Sequence, residues 1–306
     1  MGDARAQRGR RWLVIAGVAV VLSVGAAVVL RTVVFRDQAR AVSTDEALDR
    51  FRSEASTIPV APTTTSPPTT VLEVASTTAS AATSTASTST PAPVTITAAP
   101  NVPVALVGPG VYRYTTTGQE HVDALDGTTH TYPAETTITV IPDGCGVSLR
   151  WTALEERWDQ WHLCASPDGV ELETDGIQYH EFFGQPDNEA VACEAAVLLV
   201  PAVAAELPPV QQTCTLADDP WLPRWTVLER GLRTVADQSV EVQHVQMQIE
   251  DDDEYWEHTT IDWYLTLDGL PVEVVSTKSS RSPSPIGAVQ YDERYDITLE
   301  SLTPLR

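Results

Sequence analysis

Six histidines, four cysteines and 42 Asp+Glu are the groups from which a catalytic or metal site in this chain would be built. Their spacing matches none of the familiar constellations. No G-x-S-x-G, Walker A loop or H-E-x-x-H occurs. His180-Glu181-Phe182-Phe183-Gly184 begins like a zincin helix but has no second histidine. Asp251-Asp252-Asp253-Glu254 lacks the glycine and the terminal glutamate of a calcium loop, and reads as a solvated acidic turn between two strands. Glu155 and Glu156 are adjacent, so in a strand they point to opposite faces and cannot flank one substrate. In a hairpin loop they are exposed charge. No catalytic residue and no metal ligand is therefore assigned, no cofactor is expected, and an enzyme, such as an envelope hydrolase, is the third-ranked reading.

Binding chemistry has better candidates. Glu293 falls in phase with Val289, Tyr291, Tyr295, Ile297 and Leu299, which puts a carboxylate on the apolar face of a strand. Either it lies at a sheet rim or bulge where water reaches it, or it holds the polar end of a ligand. Trp263, Leu265, Tyr291, Glu293 and Tyr295 are the candidate ligand-binding residues. Ala195–Val210 is apolar yet carries Pro201, Pro208 and Pro209. It suits a loop packed on a sheet, or one covering a hydrophobic opening.

The elements that must position these residues have a period of two. Ile261, Trp263, Leu265 and Leu267 alternate with Thr260, Asp262, Tyr264 and Thr266, and Asp268-Gly269 follows as a two-residue hairpin turn. The implied register sets Leu267 opposite Leu270, Leu265 opposite Val272 and Trp263 opposite Val274. Asp126-Gly127, Pro142-Asp143-Gly144 and Pro167-Asp168-Gly169 separate further strand-like runs. Strands are expected at Thr136–Ile141, Val147–Trp151, Arg157–Leu163, Val170–Thr174, Val240–Ile249 and Val289–Leu302. Ala190–Ala205 and Trp225–Val235 read as helical or irregular. The fold class is mainly β: a curved antiparallel sheet, half-barrel or barrel-like, with few helices.

Four cysteines outside the cytoplasm suggest two disulfides among three connectivities. If Val147–Trp151 and Arg157–Leu163 form a hairpin looping over Ala153–Glu156, Cys145 faces Cys164, Val147 faces His162 and Trp151 faces Trp158. That register supports Cys145–Cys164 and leaves Cys193 for Cys214.

The chain carries 19 Lys+Arg and a formal charge of −23. From Asn101 onward there are 10 basic and 35 acidic residues. Such a domain has no basic face for phosphates, so no nucleic-acid partner is expected. The first 11 residues hold four arginines and read as a cytoplasmic N-terminus. Residues 12–30 are uncharged and at about 1.5 Å per residue match a bilayer core as a transmembrane helix, a signal anchor. A cleaved signal peptide ending near Gly25-Ala26-Ala27 is the rival. Residues 31–52 form a juxtamembrane segment, with a short helix at Ser43–Arg52 that has capping-box spacing at Ser43 and Glu46 and no expected partner. Residues 53–102 are a Thr/Ser/Pro/Ala-rich stretch read as a disordered tether that holds the domain off the membrane. Residues 103–306 are the extracytoplasmic β-rich domain.

The run Trp263-Tyr264-Leu265-Thr266-Leu267-Asp268-Gly269-Leu270-Pro271-Val272, followed by Tyr291–Leu302, resembles the LolA/LppX-type lipoprotein-carrier fold. That resemblance implies a strongly curved antiparallel sheet over an apolar cavity, in a group where several members carry lipids. The Arg-rich start, the tether, Gly110-Val111-Tyr112-Arg113-Tyr114 and the block from Cys145-Gly146-Val147 to Trp161-His162-Leu163-Cys164 resemble uncharacterised membrane-anchored proteins of high-GC Gram-positive bacteria. Together these readings lead to an expectation: a plasma-membrane, single-pass protein of the cell envelope whose external domain binds an apolar or lipid-like ligand. The alternative is a structural or protein-interaction module with an envelope protein as partner.

Overall fold

A computed structural model describes residues 39–56, 104–124, 127–205, 207–216, 219–284 and 287–306. The expected span at residues 12–30 and most of the expected tether lie outside them. No helix among the described residues is long and apolar enough to cross a membrane.

Among the described residues one helix, α1 (Thr44–Ala55), precedes sixteen strands. They are β1 (Gly110–Val122), β2 (Thr128–Thr131), β3 (Glu135–Asp143), β4 (Gly146–Leu154), β5 (Arg157–Ser166), β6 (Gly169–Phe182), β7 (Gln185–Cys193) and β8 (Val197–Pro201). After them come β9 (Val210–Gln211), β10 (Cys214–Leu216), β11 (Asp219–Trp221), β12 (Arg224–Val235), β13 (Gln238–Asp251), β14 (Glu257–Thr266), β15 (Pro271–Ser284) and β16 (Gly287–Leu299). All the expected strands form. Trp225–Val235 is a strand as well, and Ala190–Ala205 holds the end of β7, then β8, with irregular stretches before and after it. In β12, Trp225, Val227 and Val235 are buried at odd positions, a period that one bulge between Val227 and Arg230 interrupts and so disguises in the sequence.

The strands make one antiparallel sheet, ordered β11-β10-β7-β6-β5-β4-β3-β1-β16-β15-β14-β13-β12-β9. The first strand thus pairs with the last at the centre, from Tyr114↔Leu299 to Val122↔Tyr291. The wing β3–β7 extends to one side and the wing β12–β16 to the other. The sheet curls into a half-barrel and the wings meet face to face. Trp151 of β4 lies 4.3 Å from Tyr295 of β16, and Trp161 of β5 lies 5.2 Å from Trp263 of β14 (ring centroids).

The outermost strands are also tied together. β9 lies on β12, and three residues later Cys214 of β10 lies on β7. Between them Gln212 is buried, donating to Ala195 O and accepting from Trp225 Nε1. β8 ladders onto β6 and approaches β12 without pairing to it.

Two registers differ from expectation. In the β4–β5 hairpin, Val147 pairs with Leu163, Trp151 with Asp159 and Thr152 with Trp158. The turn is tighter, Leu154↔Arg157, and a bulge follows Thr152. Trp151 is therefore buried, while Trp158 stacks on Tyr179 beneath Arg150. The disulfide survives the one-residue shift, because Cys145 sits in the turn beside Gly146, the partner of Cys164. Cys193 and Cys214 are directly paired and bonded. In the β14–β15 hairpin Trp263 does face Val274, but a bulge then pairs Leu265 with Pro271. Gly269 has φ +90°, where a Cβ would sit about 3.0 Å from Leu163 Cδ1, so glycine is required.

Helix α1 has the expected capping box, with Ser43 Oγ accepting from Glu46 N and Glu46 accepting from Ser43 N. It is not without a partner. Ala47 and Phe51 are buried against Val111, with Ile141 and Leu305 alongside.

Candidate functional site

The five expected ligand-binding residues are spread over three places in the interior. Tyr291 and Glu293 lie at the polar end. Tyr295 packs against Trp151 at the middle. Trp263 and Leu265 lie in the apolar wing.

At the polar end, alternation along β1 and β16 sends Glu120 and Glu293 inward from directly paired positions. Arg157, at the start of β5, reaches across from the facing wing. Its Nε lies 2.8 Å from Glu293 Oε1, while Nη1 and Nη2 lie 2.5 and 2.8 Å from Asp159. All three side chains are buried. Glu293 is thus not at a wetted rim; a guanidinium that alternation alone does not locate neutralises it. Tyr132 also donates to Glu293.

Glu120 is surrounded by His130 Nδ1 at 2.8 Å, His180 Nδ1 at 3.3 Å and Tyr291 Oη at 3.0 Å. Burial alone would raise its carboxyl. Hydrogen bonds from the two histidines, with Arg157 near, outweigh this and hold it down to about 2. Lys278, paired across the ladder with Glu293, lies 3.6 Å from Glu257 and bonds Gln178 of the opposite wing. Burial opposes its charge, but Glu257, Glu189 and Glu293 prevail and raise it. The cluster clasps the wings, and its main side chains are hydrogen-bonded to one another.

A pH dependence follows. The Glu120 carboxyl is depressed in the fold, so its contribution is complete above the unfolded value near 4.5 and is lost as pH falls towards 2. The shift corresponds to about 3 kcal/mol. Acid also relieves repulsion among the many surface carboxylates, which works the other way. Urea titrations from pH 6 to 2 are expected to show wild type losing more stability than Glu120→Gln. Equal slopes for the two proteins would remove Glu120 as the cause.

The apolar wing has a different character. Trp161 and Trp225 both meet Trp263 edge to face, at 5.2 and 5.6 Å. Trp225 Nε1 has Gln212, but the buried indole N–H groups of Trp263 and Trp221 have no acceptor. Buried indoles usually find one. Between β12 and the segment after β8 is a groove of about 540 Å³. Ala204, Ala205, Leu207, Val227 and Leu228 line it, with Thr226, Glu229, Arg230 and Gln243 as polar groups. The ladder links it to the expected residues: Val227 pairs with Val245 and Val245 with Trp263, while Gln243 pairs with Leu265. Trp263 and Leu265 themselves are buried in the filled core. Four exposed apolar side chains, Val203, Val210, Leu222 and Leu232, occur on β9, β12 and the segments next to them.

Sequence reasoning missed Arg157, Glu120, His130 and His180. Glu120 carries the same signal as Glu293, since it is in phase with Tyr112 and Tyr114. Among the described residues, the metal-type cluster Cys145, Cys164 and Glu173 has its two sulfurs bonded to each other. The fold and site define a class, a curled antiparallel β-domain with a groove beside β12. Comparison with protein-family models, with curated proteins and with solved structures finds no match to this chain.

Proposed function

We propose that this chain is a membrane-anchored, extracytoplasmic binding protein of the cell envelope, and that its ligand is apolar. The observation that carries the reading is the groove between β12 and the segment after β8. Its volume falls in the range of small-molecule pockets, about 300–1,000 Å³, and five of its nine lining residues are apolar. The anchor rests on the uncharged residues 12–30 behind four arginines, which place the N-terminus inside and the domain outside.

A protein-interaction module is the second reading. It is favoured by the exposed apolar residues on β9, β12 and the segments next to them and by the outer edge of β12, which pairs with no described strand beyond Trp225.

Titration of the protein with an apolar fluorescent probe tests the first. Saturable uptake is expected, weakened at least about tenfold, about 1.4 kcal/mol, in Leu207→Asp. Leu207 is only half-buried, so the change spares the fold. Equal uptake by both proteins would leave the interaction module as the better reading.

A further inference from the structure

From the docking of α1 we infer that the chain is fixed to the domain at two places, around Arg40–Ala55 and around Val104–Val107, and that α1 is the latch at the first of them. At one end, Phe51 and Ala47 are buried against Val111 of β1. Arg40 N donates to Glu156 Oε2 at 2.7 Å, and Arg40 O accepts from Glu155 N at 2.9 Å. The Arg40 and Arg50 guanidinium groups both bind Glu155, and Thr44 binds Glu135. Arg52 Nη2 donates to Arg306 O at 3.1 Å. At the other end, Val104 and Leu106 pack on the main core, and Val107 N donates to Asp268 O at 2.8 Å. The pair Glu155–Glu156, exposed charge by sequence, is the receptor for the strap.

The consequence at the membrane rests on the anchor proposed above. With α1 docked, only residues 31–39 separate the span from the first fixed contact. Nine residues reach at most about 30 Å. With α1 released, residues 31–103 intervene and the limit rises to about 250 Å. The latch is a small apolar contact plus exposed ion pairs, a combination that favours reversible release.

The latch can be tested without any membrane. A site-specific protease sequence is inserted after Ser80 in the full chain, the purified protein is cut in detergent, and the products are run on a sizing column. The two fragments are expected to co-elute under native conditions and to separate in denaturant. In Phe51→Asp they are expected to separate natively, while near-ultraviolet circular dichroism shows the β-domain unchanged. Immediate separation of the cut wild type overturns the latch. So does co-elution in both proteins, since α1 would then not be the contact that holds them. Neither result depends on whether the groove binds a ligand or residues 12–30 span a bilayer.

Discussion

Arg157→Leu is expected to cost about 3–5 kcal/mol at pH 7, a large share of a domain's usual stability of about 5–15 kcal/mol. The variant leaves Asp159 and Glu293 buried with no guanidinium between them, and Glu120 loses a nearby cation. Removing one partner of a buried pair is costly because the other stays desolvated and uncompensated. The loss should shrink on acidification, since protonation removes charge that no longer has a partner. Replacing Arg157, Asp159 and Glu293 together by apolar residues is expected to recover most of the stability. Urea denaturation at pH 7 and pH 5 measures all of this. A loss under 1 kcal/mol, unchanged with pH, would show that water already solvates this end of the barrel.

Leu265→Asp is expected to abolish cooperative folding. Leu265 is 1% exposed in the main core between the wings. The change loses about 2–5 kcal/mol of packing and adds an unpaired buried charge worth several more. Leu232→Asp, at a side chain 67% exposed, is the control and should stay within about 0.5 kcal/mol. Thermal melts followed by circular dichroism distinguish them. A Leu265→Asp protein that melts cooperatively near the wild-type temperature would mean that hydrated space lies beside Leu265, as in an open carrier cavity.

Local signals were legible in the sequence where they are strictly local. Alternation located β14 and β15, Asp268-Gly269 located their turn, and Ser43 with Glu46 located α1. Cysteine pairing was legible because the β4–β5 hairpin brings Cys145 to Cys164 and leaves Cys193 for Cys214. Bulges were not: those after Thr152, Val227 and Tyr264 each shift a register by one residue without a residue type that announces them. The charge cluster was half legible. Alternation shows that Glu293 faces inward, but Arg157 comes from a strand four places away in the sheet order, and only the curl brings it there. The groove depends on how the segment after β8 lies against β12, two stretches with no pairing pattern to read.

The central pairing of β1 with β16 has a consequence for how the chain matures. The disulfide-bearing wing is made of neighbours in sequence, and its two cross-links close separations of only 19 and 21 residues. It can collapse and oxidise early. β1 is made first of all the strands, yet one of its edges stays open until β16, the last strand, arrives to cover it. Long-range pairing of this kind is slow, because the loop entropy is lost before the contacts form. An emerging chain therefore carries β1 with one edge uncovered until β16 is made. The most vulnerable moment for misassembly comes just before the final strand docks, and the natural guard for that edge is whatever receives the polypeptide as it emerges.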